Sequence, residues 1–355
     1  MAAVGALRPH LVAMAARAAA LDESAQFPAE DVEVLRRCQL PEAPLPASRG
    51  GEGAGTEPGG TDTIFELLRL LGTANLSLGR LFEAHVNAVR LVTRFGTAEQ
   101  LDRVGRACRG GALFGLWVTD PPNRPLTIED GILRGAKGPS SGAGHLRHAL
   151  VTVAQGHHTS MALIELTGHE PVEPVGDRLH GMRASANGTI ALDGVPLPDH
   201  ALVGGRGDYL REPDFSTGAW RGSAVALGGL EALVESTRQQ LVARGHAQLP
   251  LQQARFGEML IGLGTCRLWT RHAATIAEDG TVPIPDQVAI VNMARIAVEQ
   301  ACLDVMRHAQ RALGLGALLR PNPVERLLRD LATYLRQPAP DAVLTEAALH
   351  HLCPP

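Results

Sequence analysis

The spacing of apolar residues changes twice along the chain. Over residues 1–112 apolar side chains recur mainly at positions i, i+3 and i+4, which is the spacing of one face of an α-helix. From residue 113 to residue 214 the apolar positions form short β-rich runs between turn signals. Helical spacing resumes at residue 215 and continues nearly to residue 355. The pattern therefore predicts a helical domain, a β domain and a second helical domain.

The C-terminal region predicts four amphipathic helices, over residues 219–244, 251–277, 286–313 and 323–335. Gly245, Gly280 and Gly314 lie at the ends of the first three, where glycine favours helix termination. Four helices joined by short links predict a bundle. The predicted fold class is α+β, mainly α, with an N-terminal helical domain, a small antiparallel β domain in the middle and a C-terminal four-helix bundle.

Two turn signals stand out in the rest of the chain. Residues 43–61, APLPASRGGEGAGTEPGGT, contain so much glycine and proline that they predict a flexible loop within the N-terminal domain. A loop of this length is either functional or disordered. Asn187-Gly188 and Asp193-Gly194 are typical of hairpin turns, so residues 184–198 predict two or three antiparallel strands.

Composition excludes several classes of protein. The net charge of −4 over 355 residues gives no electrostatic reason to expect nucleic acid or an anionic membrane as a partner. No apolar run is long enough to span a bilayer. The five cysteines are far apart, which favours reduced thiols in a cytoplasmic protein over disulfides or a zinc site. His157-His158 and His350-His351 lack the further ligand that a metal needs, so no metal site is predicted.

The stretch from Asn322 to Asp341, NPVERLLRDLATYLRQPAPD, carries the most specific pattern. A proline suits the first position of a helix, and the charged residues Arg326, Arg329 and Asp330 fall on one flank of that helix. Two prolines, at positions 338 and 340, end the helix and predict an extended exit. Taken alone, the pattern describes an amphipathic helix that closes a bundle.

The order of pieces in this region resembles the C-terminal end of the acyl-CoA dehydrogenase family. A glutamine, a glycine-bearing turn and the motif P-x-E-R-x-x-R-D follow one another in both. The three-part arrangement of helices, β domain and bundle is also that of the family. The resemblance implies an FAD-binding oxidoreductase acting on a small molecule such as an acyl thioester. It also implies a homodimer or homotetramer built through helices 219–313, with an electron-transfer flavoprotein or a flavin reductase as a further partner.

The β domain contains two motifs that resemble flavin-contacting segments of the family. Leu-Trp-Val-Thr-Asp-Pro is similar to the V-T-E-P-G strand, which implies that Val118 and Thr119 lie beside the flavin ring. Residues 135–143 are similar to the G-x-K-x-x-x-S-G-A segment of the flavin-dependent monooxygenase relatives. This implies that the hydroxyl of Ser141 reaches the reactive edge of the flavin. Pro139 replaces an aromatic residue of the dehydrogenases, and a plain glycine–serine turn is the alternative interpretation.

Two bundle motifs imply contacts with the rest of the cofactor. Arg244 matches the arginine of R-x-x-F-G-x-P-L, which in the family binds the pyrophosphate of the flavin dinucleotide, often across a subunit boundary. Gln310, Gly314 and Gly316 match the motif Q-x-x-G-G-x-G, whose glycines allow close approach of the backbone to the cofactor. The cofactor implied is FAD, or alternatively FMN as a reduced flavin.

The catalytic positions of the family are altered. The glutamate that follows the R-D pair in the dehydrogenases corresponds to Pro338, and the other family position for a base holds Trp220. Neither side chain accepts a proton. The histidine of the monooxygenase relatives corresponds to Arg336. His85 lies on a helix that resembles the corresponding helix of family members, which implies either an active-site histidine or one that is hydrogen-bonded inside the bundle.

Three functions remain open at this point. The first is an FAD-binding oxidoreductase of the acyl-CoA dehydrogenase type without the usual catalytic glutamate. The second is a reduced-flavin-dependent monooxygenase in which His85 and Ser141 act beside the flavin and Arg336 steers an anionic substrate. The third is a catalytically degenerate member that binds a ligand or a partner.

Overall fold

The computed structural model of the protein describes residues 1–353. Its helices are α1 (Ala2–Leu7), α2 (Leu11–Ser24), α3 (Ala29–Arg37), α4 (Thr61–Ala74), α5 (Leu76–Phe95), α6 (Ala98–Arg109), α7 (Asp214–Thr217), α8 (Ala219–Ala243), α9 (Pro250–Glu278), α10 (Ile284–Leu313), α11 (Pro323–Tyr334) and α12 (Pro340–Leu352). Its strands are β1 (Phe114–Trp117), β2 (Thr127–Glu129), β3 (Ile132–Arg134), β4 (Ala136–Ser140), β5 (His148–Gln155), β6 (His158–Glu165), β7 (Val172–Pro174), β8 (Gly188–Ala191) and β9 (Leu202–Val203). The predicted fold class is confirmed.

The strands form two small sheets. One has the order β3-β2-β5-β6-β9, with β1 also paired to β5, and the other has the order β4-β8-β7. Most pairs are antiparallel, as predicted, but β1 runs parallel to β5 over its whole length. This pairing places residues 118 and 119, which follow β1 directly, at the edge of the sheet.

The predicted hairpin at Asn187-Gly188 is wrong. Strand β8 starts at Gly188 and pairs with β7 through Pro174, so the connection between these strands is the longer segment 175–187. Gly194 has the positive φ expected of a turn, but beyond it only an isolated bridge joins Ile132 to Pro196. The side chain of Asn187 has a different role, which is described with the site below.

Helices α4 and α8 cross in backbone contact. A β-carbon on Gly72 would lie 2.2 Å from the carbonyl oxygen of Val225, and one on Gly228 would lie 2.0 Å from that of Arg69. Real β-carbons do not approach other atoms so closely, so glycine is required on both helices. The crossing fixes the N-terminal helical region against the bundle.

Residues 43–61 form a compact loop, contrary to the predicted flexible chain. The hydroxyl of Thr56 donates to the carbonyl oxygen of Pro44 at 2.6 Å, and the side chain of Arg90 on α5 donates to that of Gly55 at 2.8 Å. The loop buries Pro44 against its neighbours. The glycines of the loop allow tight turns. The glycine- and proline-rich composition that predicted flexibility therefore allows close packing here.

The predicted extended exit after α11 is also wrong. The chain turns at Pro338 and Ala339 and then enters α12, with Pro340 at the first helical position. Helix α12 packs on α10, and Nε2 of His350 lies 2.6 Å from Oδ1 of Asp286. The two prolines end one helix and begin the next.

Residues 1–353 lack two features. In that range no helix has both the length and the apolar character needed to cross a membrane. The same residues contain no group of three or more His, Cys, Asp or Glu side chains arranged to hold a metal ion.

Candidate functional site

The junction between α2, α11 and the β domain is built on Arg329 and Asp330. The guanidinium of Arg329 donates to both carboxylate oxygens of Asp22, at 3.2 and 2.6 Å, and to Glu325 at 2.5 Å. The neighbouring Asp330 accepts from the backbone N–H of Met182 at 2.6 Å. Both motif residues are almost fully buried. They dock the segment that precedes β8 onto α11.

Burial and charge act in opposite directions on Asp330. Burial raises its pKa, and the guanidinium of Arg326, 2.9 Å from its Oδ2, opposes this rise. The buried carboxylate is thus held by one charged partner and one backbone N–H. Such pairing is the usual condition for a charge inside a protein.

A continuous hydrogen-bonded chain leads from this junction to Ser141. The carbonyl oxygen of Met182 accepts from the hydroxyl of Ser185 at 2.6 Å. The Ser185 oxygen accepts from Nδ2 of Asn187, also at 2.6 Å, and Oδ1 of Asn187 accepts from the hydroxyl of Ser141 at 3.0 Å. Ser141 is only 8% exposed. Its hydroxyl is therefore oriented by the fold.

The exit of β1 is held by a buried lysine. Nζ of Lys137 lies 2.6 Å from a carboxylate oxygen of Asp120, 2.9 Å from the hydroxyl of Thr152 and 3.3 Å from the carbonyl oxygen of Val118. Burial lowers the pKa of Lys137, and the carboxylate of Asp120 opposes this. Val118 is half-buried, whereas Thr119 is exposed at the edge of the sheet.

The Ser141 segment lies between β1 and α5. The indole N–H of Trp117 donates to the carbonyl oxygen of Ser141 at 2.9 Å. A β-carbon on Gly142 would lie 3.2 Å from the side chain of Leu81 on α5, so the segment runs close to that helix. Pro139 is exposed beside Thr119, whose carbonyl oxygen accepts from the N–H of residue 138 at 2.9 Å. The structure thus brings Thr119, Pro139 and Ser141 to one edge of the β domain.

A second group of predicted residues meets at one end of the bundle. Arg244 is exposed, and its guanidinium donates to the carbonyl oxygen of Leu313 at 3.2 Å and to the side chain of Gln240 at 3.3 Å. Within residues 1–353 no carboxylate lies within 4.0 Å of it. A β-carbon on Gly316 would lie 3.1 Å from Arg244 Nη2, and Gly314 has a φ of +63°. This end therefore presents an unneutralised cation beside bare backbone.

Gln310 lies on the last turn of α10, four residues before Gly314, and is exposed. Its backbone carbonyl accepts from the N–H of Gly314. Seven predicted cofactor-contacting residues consequently form two groups. Three lie at the edge of the β domain and four at the end of the bundle: Val118, Thr119 and Ser141, then Arg244, Gln310, Gly314 and Gly316.

His85 is fully buried and both of its ring nitrogens are occupied. The backbone N–H of Phe114 donates to Nδ1 at 3.1 Å, so Nε2 carries the hydrogen and donates to the carbonyl oxygen of Pro41 at 2.9 Å. Burial lowers the pKa of His85 to about 4. This geometry leaves no ring nitrogen for a bound molecule and gives no support to the predicted catalytic role. It matches the alternative, a histidine that ties α5 to its surroundings.

The loop after α11 carries no buried base. Arg336 is 59% exposed and pairs with Glu299 of α10. Pro338 accepts a hydrogen bond through its backbone from Arg295 at 2.5 Å. Trp220 is buried, and its indole nitrogen has no partner within residues 1–353. Neither Pro338 nor Trp220 has a side chain that can accept a proton.

A buried charged stripe on α5 was not predicted. Glu83 pairs with Arg80 and accepts from Asn87, and Nε of Arg221 on α8 donates to Oδ1 of Asn87 at 2.5 Å. Burial lowers the pKa of Arg221 to about 10, although Glu278 lies 3.5 Å away. The signal was available in the sequence, because polar residues recur at three- and four-residue spacing on an otherwise apolar helix.

This stripe continues to a cavity of about 390 Å³ at the far end of α5. Arg90 donates to Glu278 at 2.9 Å, and Arg94 donates to Asp214 at 3.2 Å. All four side chains line the cavity. Because cations and carboxylates alternate around it, the cavity is polar without a strong net charge.

Comparisons with known proteins agree with this architecture. The family model "Acyl-CoA dehydrogenase, C-terminal domain" matches residues 209–335. Cyclohex-1-ene-1-carbonyl-CoA dehydrogenase of Geobacter metallireducens is 25% identical over 89% of this chain and 88% of its own length. 3-Sulfinopropanoyl-CoA desulfinase of Advenella mimigardefordensis is 26% identical, with coverage of 90% and 84%.

Among solved structures, dibenzothiophene monooxygenase (TdsC) from Paenibacillus sp. A11-2, in complex with FMN and indole, has the same fold. It superimposes with a TM-score of 0.86 at 19% identity, covering 99% of this chain and 97% of that one. The matching C-terminal model, the relatives aligned over most of their length and the three-part fold point in one direction. The chain is similar to members of the acyl-CoA dehydrogenase family, and its residues 209–335 match the C-terminal domain of that family.

Proposed function

We propose that the protein is a flavin-dependent oxidoreductase whose reaction does not begin with proton abstraction by the family's glutamate. The observation that carries the proposal is the fixed orientation of the Ser141 hydroxyl, together with side chains at positions 338 and 220 that cannot accept a proton. Ser141 is oriented by a buried chain, while Pro338 and Trp220 offer no proton acceptor. The solved structure of the related fold holds FMN.

The residues present fit a flavin dinucleotide. Arg244 has no carboxylate partner within residues 1–353, and Gly316 leaves open the space that a β-carbon would fill beside its guanidinium. A guanidinium next to bare backbone suits the forked hydrogen bonds that a pyrophosphate accepts. A bound flavin would supply the redox chemistry that protein side chains lack.

Each group of residues would have a separate task. Val118, Thr119 and Ser141 would contact the flavin ring, and Lys137 would hold that edge in place from below. Arg244, together with Gln310, Gly314 and Gly316, would bind the pyrophosphate and its neighbourhood. Because the second group lies at the end of the bundle, we propose that it serves the flavin of a second copy in a homodimer or homotetramer.

The substrate would be a small molecule, such as an acyl thioester, and the electron partner an electron-transfer flavoprotein or a flavin reductase. The relatives named above include a dehydrogenase and a desulfinase of acyl-CoA compounds. The charged pair on α5 formed by the half-buried Arg80 and the buried Glu83 favours a substrate with polar groups over a long apolar chain.

The test is the visible spectrum of the purified protein, followed by titration with FAD and with FMN. We expect flavin binding, and we expect Arg244→Ala to weaken FAD binding by roughly 10- to 100-fold, because hydrogen bonds to charged groups contribute about 1.5–3 kcal/mol. Arg255→Ala is the matched control, since Arg255 also donates to a carbonyl oxygen at the end of α10. Equal FAD affinity in the two variants would refute the assignment of Arg244.

A reduced-flavin-dependent monooxygenase is the second candidate. It is favoured by the inert base positions together with the Ser141 hydroxyl, because oxygen transfer needs no carboxylate to remove an α-proton. Oxygen consumption with enzymatically reduced FMN should depend on Ser141, and Ser141→Ala should slow it. If the protein binds neither oxidised nor reduced flavin, the function is ligand or partner binding without redox chemistry.

A further inference from the structure

In the hydrogen-bonded chain that ends at Ser141, every hydrogen is donated in the same direction, toward the carbonyl oxygen of Met182. The chain begins at the carbonyl oxygen of Met182, which can accept but not donate, so the hydroxyl of Ser185 must donate to it. The Ser185 oxygen then accepts from the amide nitrogen of Asn187. This leaves the amide oxygen of Asn187 facing Ser141, and the Ser141 hydroxyl must donate to that oxygen.

The opposite orientation of the Asn187 amide would contain one hydrogen bond fewer. Its nitrogen would donate to Ser141 and its oxygen would accept from Ser185, so the bond from Ser185 to Met182 would be lost. A net hydrogen bond of this kind corresponds to an equilibrium ratio of about three- to tenfold. The observed orientation is thus set by the carbonyl at the start of the chain.

The backbone around Asn187 is also fixed. Gly142 donates its N–H to the carbonyl oxygen of Ser185 at 2.9 Å, and Ala143 donates to that of Ala186 at 3.1 Å. On the other side, Met182 is anchored to Asp330 of α11. The segment before β8 is therefore clamped between the Ser141 segment and the bundle.

This orientation decides whether the Ser141 hydroxyl donates or accepts a hydrogen bond toward a bound molecule. Its only hydrogen is given to Asn187, so toward any bound molecule its oxygen acts as an acceptor. An oxidised flavin has a bare N5, which needs a donor, whereas a reduced flavin carries a hydrogen on N5, which needs an acceptor. The Ser141 oxygen, which can only accept, therefore suits the N5–H of a reduced flavin and not the bare N5 of an oxidised flavin.

We propose that Asn187 is a positioning residue that, through Ser141, makes the site bind reduced flavin more tightly than oxidised flavin. This inference rests on the proposed function, because it takes Ser141 to face the reactive edge of the flavin. It gives the site a preference for one redox state without a charged side chain at that position.

The experiment compares dissociation constants for oxidised and anaerobically reduced FAD and FMN. Asn187→Leu removes the acceptor and lets the Ser141 hydroxyl donate outward, so the ratio of oxidised to reduced dissociation constants should fall by about three- to tenfold. A tenfold fall corresponds to about 30 mV in the two-electron midpoint potential. In the Ser141→Ala background the same change at Asn187 should leave the ratio unaltered.

The ratio of oxidised to reduced dissociation constants distinguishes a change in the orientation of Ser141 from a general loosening of the segment before β8. A purely structural effect would weaken both redox states by the same factor and leave the ratio unchanged, which would overturn the inference while flavin binding itself stands. Ser185→Ala is the second variant. It removes the hydroxyl through which the carbonyl oxygen of Met182 fixes the Asn187 amide, so it should shift the ratio of dissociation constants in the same direction. A wild-type protein that binds neither form would overturn the proposed function and this inference together.

Discussion

In the first half of the stretch from Asn322 to Asp341 the polar side chains are partnered and mostly buried, whereas in the second half they are mostly exposed, apart from the buried Tyr334. Arg329 and Asp330 join α11 to α2 and to the β domain through hydrogen bonds of 2.5 to 3.2 Å. Arg336, just beyond the end of α11, is 59% exposed and has one carboxylate partner. Both halves belong to the same family motif.

The difference separates the buried side chains that join α11 to the rest of the fold from the exposed loop after α11, for which the resemblance to the family implies chemistry. The buried arginine has three carboxylate and carbonyl partners whose loss would leave charges without compensation. The exposed loop after α11 has fewer such partners, and Arg336 contacts a single carboxylate there. We therefore expect the fold to depend on the first half of the stretch more than on the second.

The largest effect is expected from Arg329→Ala. The change leaves the buried carboxylate of Asp22 without its arginine and leaves Glu325 with only the 3.8 Å contact to Arg320, which costs roughly 3–5 kcal/mol in free energy of unfolding. Denaturant unfolding followed by circular dichroism measures this loss. A loss as small as that of the exposed control below would contradict the structural role of the first half.

His85 sharpens the comparison, because the sequence left open an active-site histidine or one hydrogen-bonded inside the bundle, and both of its ring nitrogens contact backbone groups. Its folded-state pKa is lowered from 6.5 to about 4, so between these values the unfolded chain binds the extra proton. Stability is therefore lost as the pH falls, by about 2 kcal/mol between pH 6.5 and pH 5 from this group.

The measurement is the free energy of unfolding across that pH range in the wild type and in His85→Gln. Other groups titrate equally in both proteins, so the difference between the two pH profiles isolates His85. Parallel profiles would show that the histidine is not held neutral by burial.

The smallest effect is expected from Arg336→Ala. An exposed ion pair contributes about 0–1 kcal/mol, so the free energy of unfolding should change by no more than that. The same denaturant experiment that tests Arg329 measures it, with identical residue types removed in each case. If Arg336→Ala destabilised the protein as much as Arg329→Ala, the two halves of the stretch would not differ in their contribution to stability.

The regular helices could be predicted from the sequence because apolar spacing is a local property. Helix α12 could not, although Pro340 obeys the same preference for the first helical position that was applied to Pro323. The prolines at 338 and 340 end a helix and permit a new one equally well, and only packing on α10 decides between these outcomes.

The site was predictable in parts. Motifs indicated Ser141 and Arg244, but the partner of Ser141 is an asparagine whose sequence context is typical of a hairpin turn. The interaction depends on segments 46 residues apart, which local patterns do not report. The charged residues of α5 were visible as a helical stripe, and their burial against α8 was not.

The glycine crossing of α4 and α8 has a mechanical consequence. With backbone touching backbone at Gly72 and Gly228, neither helix can slide or roll without a steric collision. We therefore expect the N-terminal helices and the bundle to move as one rigid body. The hydrogen bond between Met182 and Asp330 attaches the β domain to that body.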